Sequence, residues 1–195
     1  TGTNGKTSVT SFLTHLWETI GHNAISAGNI GFPLSRTVLR EKQNNTVFLE
    51  ISSFQAEDMV STKLDSLLWT NLDTDHIDEH GSMENYFRAK AKLIDLTKSN
   101  NIFVSQSVVD YAKKINYELP KKLEIFNVDS ELVRLSKHSN FFTTQPQILN
   151  LSLIKSFLNN QNVSRESLIR ALKSYVPEPH RLQKVEIVND ITFWD

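Results

Sequence analysis

The sequence has no cysteine, two methionines, six glycines and five prolines in 195 residues. Without cysteine there is no disulfide, no thiolate zinc site and no cysteine nucleophile. No apolar run approaches the roughly 20 residues that a membrane span needs, and no secretory leader pattern is visible. Neither sign of charge dominates. The chain carries 21 Lys and Arg against 22 Asp and Glu, a net charge of −1, so nothing pulls it globally toward nucleic acid or a membrane surface. A cysteine-free chain fits a reducing cytoplasm, which is the expected localisation. The composition, 39% hydrophobic and 22% charged, is that of an ordinary globular protein. The length allows one sizeable domain with a real core.

Because glycine is scarce, its placement is informative. The chain opens on Thr1-Gly2-Thr3-Asn4-Gly5-Lys6-Thr7, which reads as a phosphate-binding loop. Glycines let backbone N–H groups turn onto an anion, Lys6 supplies a point charge for terminal phosphates, and the Thr7 hydroxyl can hold Mg²⁺. Such loops follow a buried β-strand, and the first glycine of the full pattern would fall one residue before Thr1. The chain is therefore expected to be a piece of a longer protein, lacking the strand that feeds the loop.

Ser8 to Ile20 is predicted to be a helix, with Val9, Phe12, Leu13, Leu16 and Ile20 on one face and Gly21 as its stop. Asn23 to Ala27 is a short extended piece entering Gly28-Asn29-Ile30-Gly31, and a helix follows from Pro33. Thr46–Ile51 and Ser66–Leu72 read as strands, and Ser82 caps a helix to about Thr97. Asn101–Ser105 and Leu123–Val128 are predicted strands around a helix over Val108–Ile115. Two more helices cover residues 146–159 and 164–175. Val185 to Trp194 alternates around Asn189-Asp190, a hairpin signal. There is no internal repeat or low-complexity tract. Strands alternating with helices predict an α/β domain: a three-layer, mostly parallel sheet with flanking helices, leaving through a C-terminal β-hairpin.

In open α/β sheets ligands bind beyond the carboxyl ends of the strands. Glu50 ends a hydrophobic strand, as either a solvated carboxylate or a Mg²⁺ ligand beside phosphates. His76 sits in Asn71-Leu-Asp-Thr-Asp-His-Ile-Asp-Glu-His80, among carboxylates that make a metal or phosphoryl site plausible. That composition also admits Mn²⁺ or Zn²⁺. Lys90 is the sharpest case. On the helix after Ser82 the apolar stripe is Met83, Tyr86, Phe87, Leu93 and Ile94, and Lys90 falls in the middle of it. Lys92 lies on the opposite, polar face. Lys90 either snorkels its amine to water or keeps it buried, where burial favours the neutral form. A neutral amine can react with CO₂ to give a carbamate, an anion able to bind metal. Arg181, after two prolines, is either a surface residue or a clamp for phosphate or carboxylate.

Taken in order, Gly2-Thr-Asn-Gly-Lys-Thr7, Gly28-Asn-Ile-Gly31, Leu49-Glu-Ile-Ser-Ser-Phe-Gln55, Asp75-His-Ile-Asp-Glu-His80, Tyr86-Phe-Arg-Ala-Lys90 and Pro179-His-Arg181 resemble the segments of the Mur ligases. These are ATP-dependent amide-forming enzymes of peptidoglycan precursor synthesis. The Glu-x-Ser-Ser-Phe-Gln run favours the member that adds D-glutamate to UDP-N-acetylmuramoyl-L-alanine. The resemblance implies that Gly2, Thr3, Asn4, Gly5, Lys6, Thr7 and Ser8 cradle ATP, and that Thr7 and Glu50 hold one Mg²⁺. His76 and a carbamylated Lys90 would serve a second Mg²⁺, so that Lys6, His76 and Lys90 carry the catalysis. It also implies that Asn29, Ser52 and Gln55 contact the nucleotide-sugar substrate, Asn150 the adenine and Arg181 the nucleotide. The family's His-Asn-x-x-Asn adenine segment reads Pro146-Gln-Ile-Leu-Asn150 here, keeping one asparagine. Residues 1–180 would be the central ATP-binding domain and 181–195 a linker, with the UDP-binding and amino-acid-binding domains absent. Expected partners are the two small-molecule substrates, with no nucleic acid and no membrane, in a monomer. A sibling forming another amide, such as a folylpolyglutamate synthetase, would share the loop and the lysine. A non-catalytic P-loop module would share only the loop.

Overall fold

The computed structural model describes residues 1–39, 46–98, 100–179, 184–188 and 191–194. In chain order the elements are α1 (Lys6–Thr19), β1 (Ala24–Gly28), α2 (Leu34–Val38), β2 (Thr46–Glu50), α3 (Ser53–Asp58), β3 (Leu67–Trp69), α4 (Ile77–His80), α5 (Met83–Asp95), β4 (Ile102–Val104), α6 (Gln106–Lys114), β5 (Glu124–Ile125), α7 (Ser130–Ser136), α8 (Gln145–Leu158), α9 (Arg165–Ser174), β6 (Lys184–Val188) and β7 (Ile191–Trp194). The first five strands pair in parallel, as β1-β2 and as β3-β4-β5. β6 and β7 pair antiparallel, as the alternation around residues 189–190 predicts.

Strand periodicity sorts side chains into two apolar layers. On β4, Phe103 joins the core made by α1, α8 and α9, while Ile102 and Val104 join the core beneath α5 and α6. On β3, Leu67 and Trp69 face the second core and Leu68 packs on the first. This is the three-layer α/β arrangement, with helices on both faces of parallel strands. α1 is held by its predicted face: Val9, Phe12, Leu13 and Leu16 are buried. Phe12 meets Phe142 and Tyr175 edge-on, with ring centroids 4.9 and 5.1 Å away.

The parallel strands form two separate ladders. Among the described residues β2 and β3 share no ladder, and a cleft of about 570 Å³ separates them. Thr1 lies on the β3 side of this cleft. Its amino group donates to the Leu68 carbonyl at 2.9 Å, and the Thr70 N–H donates to the Thr1 carbonyl at 3.0 Å. That exchange is the pattern of a parallel ladder.

Helices α3, α4 and α7 are not anticipated by the hydrophobic periodicity. All are short, and α3 forms because its end is locally satisfied. The Gln55 N–H donates to Ser52 Oγ at 3.2 Å, and the Ser52 N–H donates to Gln55 Oε1 at 3.0 Å, a capping box. Ser52→Ala is expected to cost about 1 kcal/mol of stability. Urea unfolding of the two proteins measures it; an unchanged midpoint would show that the box contributes nothing.

Candidate nucleotide-binding and catalytic site

Residues 1–5 wrap under the first turn of α1 in a path that glycine alone permits at two positions. Gly2 has φ 140°, and a Cβ there would sit 1.9 Å from Thr70 Oγ1. Gly5 has φ 81°, and its Cβ would sit 2.3 Å from Asn150 Oδ1. The loop is pinned to the segment after β3. Thr3 N–H donates to the Asn71 carbonyl at 3.1 Å, and Asn4 N–H donates to Asn71 Oδ1 at 2.8 Å. Thr70 Oγ1 donates to the Asn4 carbonyl at 2.6 Å. Thr3 Oγ1 accepts from the Asp73 N–H at 3.0 Å and lies 3.1 Å from the Tyr86 hydroxyl. No acidic residue occupies the first turn of α1, so its N-terminal N–H groups and positive dipole end favour a phosphate. Thr7 and Ser8 are buried on that turn.

The two lysines singled out by the sequence meet at one atom. Lys6 Nζ donates to the Gly2 carbonyl at 3.0 Å and to the Thr3 carbonyl at 2.9 Å. Lys90 Nζ reaches the same Gly2 carbonyl at 3.3 Å. Lys90 is 1% exposed and its amine lies 4.6 Å from the centre of the Tyr86 ring. Its helix explains this: Tyr86, Phe87, Leu93 and Ile94 are buried on the same stripe. Burial first, and the Lys6 charge second, lower the Lys90 pKa to about 7. A neutral amine is thus accessible near neutral pH, beside the loop.

Glu50 ends β2 and is 2% exposed. Its Oε1 accepts from Asn29 Nδ2 at 2.9 Å, while Oε2 is buried without a hydrogen-bond partner. The Asn29 N–H also donates to the Glu50 carbonyl at 2.9 Å. This close approach requires Gly28, where a Cβ would lie 2.2 Å from the Glu50 carbonyl oxygen. A buried carboxylate oxygen with no donor is costly, and a hard cation would satisfy it. No group of three or more His, Asp or Glu is arranged to hold a metal among the described residues. The donor set therefore suits an ion that brings phosphate oxygens and water with it, as Mg²⁺ does.

His76 opens α4 in a left-handed conformation, φ 51°, uncommon for a residue with a Cβ. Its ring stands between Asp75 at 3.4 Å and Glu79 at 3.5 Å and is about half exposed. It lies 6.3 Å from the Tyr86 ring, centre to centre. Tyr86 therefore bridges three parts of the site: Thr3, Lys90 and the His76 turn.

Other expected residues are placed less simply. Ser52 and Gln55 satisfy each other in the α3 capping box. Asn150 donates to Gln147 at 3.0 Å and lies against Gly5, on the underside of the loop. Arg181 lies outside the described residues. The sequence reading missed Thr70, Asn71 and Tyr86 as loop anchors. It also missed His80, which is buried, hydrogen-bonded to Ser53 Oγ at 2.9 Å and stacked on Phe54. The Ser-x-x-Gln spacing would have revealed α3, and Tyr86 at i−4 from Lys90 was an available signal.

The fold and the site define a P-loop domain of the three-layer α/β type, with a buried second lysine at the loop. The chain belongs to the Mur ligase family: the model of the Mur ligase middle domain matches residues 1–162. Among curated relatives it is 30% identical to the UDP-N-acetylmuramoylalanine–D-glutamate ligase of Prochlorococcus marinus, over 100% of this chain and 46% of that protein. It is also 30% identical to the ligase of the same name from Pseudothermotoga lettingae, over 99% of this chain and 46% of that one. The chain thus spans about half the length of the curated relatives it matches. Among solved structures, MurF from Acinetobacter baumannii superposes with a TM-score of 0.68 at 15% identity, covering 100% of this chain and 49% of that one. Helicobacter pylori folylpolyglutamate synthetase gives a TM-score of 0.58 at 14% identity, covering 95% and 58%. At these identities the structural likenesses show the fold alone.

The lowered Lys90 pKa makes stability depend on pH. Below about 7 the amine is charged in both folded and unfolded chains, and the cost of burying the charge is fully present. Above that pH the unfolded chain binds a proton that the folded chain has released, so stability rises until the unfolded amine titrates near its ordinary 10.5. Wild type is expected to gain stability relative to Lys90→Met between pH 6 and pH 9. A pH-independent difference in urea unfolding would refute the buried, neutral amine.

Proposed function

We propose that this chain is the ATP-binding part of a ligase that adds D-glutamate to UDP-N-acetylmuramoyl-L-alanine. The observation that carries this reading is the meeting of Lys6 and Lys90 at the Gly2 carbonyl. A nucleotide-binding module with no chemistry to perform has no reason to bury a second lysine beside its phosphate loop. The choice of acceptor rests on the most similar curated relatives and on the Ser52-Ser53-Phe54-Gln55 run.

In this reading Gly2 to Ser8 hold the ATP phosphates through backbone N–H groups, and Lys6 turns from the Gly2 and Thr3 carbonyls onto the terminal phosphate. The alanine carboxylate of the nucleotide-sugar attacks the γ-phosphorus, ADP leaves, and an acyl phosphate results. The D-glutamate amine then attacks the acyl carbon, and phosphate leaves with the amide formed. Both first reactants are anions, so their approach needs fixed positive charge. Thr7 and Glu50 would hold one Mg²⁺, and His76 with Lys90 would serve a second. Bound there, Mg²⁺ supplies charge neutralisation on the phosphates and the carboxylate. The neutral Lys90 amine takes up CO₂ and releases a proton to become a carbamate. Tyr86 and the helix stripe keep that group facing the loop. Asn29 positions the Glu50 carboxylate and, with Ser52 and Gln55, faces the nucleotide-sugar. Asn150, which lies against Gly5, would approach the adenine, and Arg181 would close on the nucleotide.

The 195-residue chain is expected to bind Mg²⁺-ATP without turnover, because two further substrates must be held in register with it. In the complete ligase that carries this domain, phosphate release from ATP is expected to require both UDP-N-acetylmuramoyl-L-alanine and D-glutamate. Release that ignores either substrate, or that prefers another amino acid, would overturn the reading. Lys90→Ala is expected to cost at least about 100-fold in kcat, on the scale of removing one charge-stabilising group. A short-chain carboxylate should restore part of the loss and bicarbonate none. Full activity in Lys90→Ala would remove the carbamate.

A further inference from the structure

His80 takes no part in the chemistry proposed above, yet it is the buried side chain of α4. Its ring nitrogen Nε2 lies 2.9 Å from Ser53 Oγ, and Ser53 is itself 2% exposed. A leucine would bury as much apolar surface. A buried imidazole hydrogen-bonded to a buried hydroxyl adds direction, because the bond fixes the ring plane. Phe54 lies flat on that plane, with ring centroids 4.8 Å apart and 12° between the rings. Phe54 is 41% exposed, so little core surrounds it and the His80 face is its support. The Phe54 ring in turn meets the His76 ring in an edge contact, 5.3 Å away at 66°. The backbone runs the same way. α4 is a single turn of four residues, too short to be stable on its own. The His80 N–H donates to the His76 carbonyl at 3.1 Å, and the His80 carbonyl accepts from Asn85 Nδ2 at 2.9 Å. The far end of the turn that begins at His76 is thus tied to α3 and α5. The carboxylates beside His76, Asp75 and Glu79, are themselves largely exposed and hold a ring weakly.

We propose that His80 and Phe54 are positioning residues for His76. His80, locked to Ser53, fixes the α4 turn and the plane of Phe54, and Phe54 fixes the His76 ring. The hold originates in α3, the helix that starts just past Glu50 and whose capping box joins Ser52 to Gln55. The proposed substrate contacts and the histidine proposed to serve a cation therefore move as one unit. A purely structural His80 would stabilise the domain without fixing His76. The consequence for catalysis rests on the proposed ligase activity; the coupling from Ser53 to His76 does not.

Histidine-ring NMR of the 195-residue chain tests the coupling, with the His76 signals assigned through His76→Gln. Ser53→Ala removes the hydroxyl that holds His80 and no atom in contact with the His76 ring. It is expected to shift the His76 ring resonances; His76 signals that stay in place overturn the coupling. The complete ligase tests the consequence through Phe54→Leu, at an exposed position that does not depend on Ser53→Ala folding. There kcat is expected to fall about tenfold or more while KM for ATP stays within about twofold, because a small misplacement near the chemistry is costly. Phe54→Tyr keeps both ring contacts and should retain kcat. Unchanged kcat in Phe54→Leu overturns the positioning role, and so does an equal loss in Phe54→Tyr. A loss through KM alone also overturns it, by assigning Phe54 to substrate binding. If phosphate release by the wild type ignores the nucleotide-sugar or D-glutamate, the ligase reading fails, and the NMR result still decides the coupling.

Discussion

The site depends on one carbonyl group. The Gly2 oxygen accepts from Lys6 and from Lys90, two amines brought together from α1 and α5. Gly2 can present that oxygen because it lacks a side chain where Thr70 packs. Thr70 and Asn71 then hold Asn4, and Tyr86 holds Thr3. The phosphate loop is thus a backbone structure clamped from below by the end of β3 and from the side by α5. When a phosphate enters, it offers Lys6 a better acceptor than a neutral carbonyl.

This arrangement explains why Lys90 can be buried at all. A charged amine in an apolar stripe is costly unless it is paired. Here it has a carbonyl and the face of Tyr86, both weak compensation, and a nearby Lys6 that opposes its charge. The balance leaves the neutral form accessible near pH 7. Glu50 shows the complementary situation, a buried carboxylate with one oxygen satisfied by Asn29 and one left open. A buried amine at the loop and a buried carboxylate oxygen at the end of β2 are left incompletely satisfied, which fits a site completed by a nucleotide and its cations.

Much of this was legible in the sequence. The 3.6-residue period pointed Lys90 inward, and the scarcity of glycine made the Gly2–Gly5 loop conspicuous. The strand–helix alternation gave the layers. What stayed hidden was long-range or short. The Asn4–Asn71 pairing spans 67 positions and leaves no local pattern. β3 is shorter than predicted because Thr70 and Asn71 turn their polar groups onto the loop rather than extending the strand. α3, at six residues, is too short for periodicity and was announced only by its cap. The capping role of Ser52 and Gln55 also shows how a segment marked for ligand contact can be fixed first by its own backbone.

The central claim is that Lys90 is a reactive, neutral amine held at the phosphate loop. Carbon-13 NMR of the chain in labelled bicarbonate with Mg²⁺ and ATP tests it most directly. The account predicts a single carbamate resonance that vanishes in Lys90→Ala and grows as the pH rises through about 7. Absence of any Lys90-dependent carbamate at pH 8 under those conditions would contradict it.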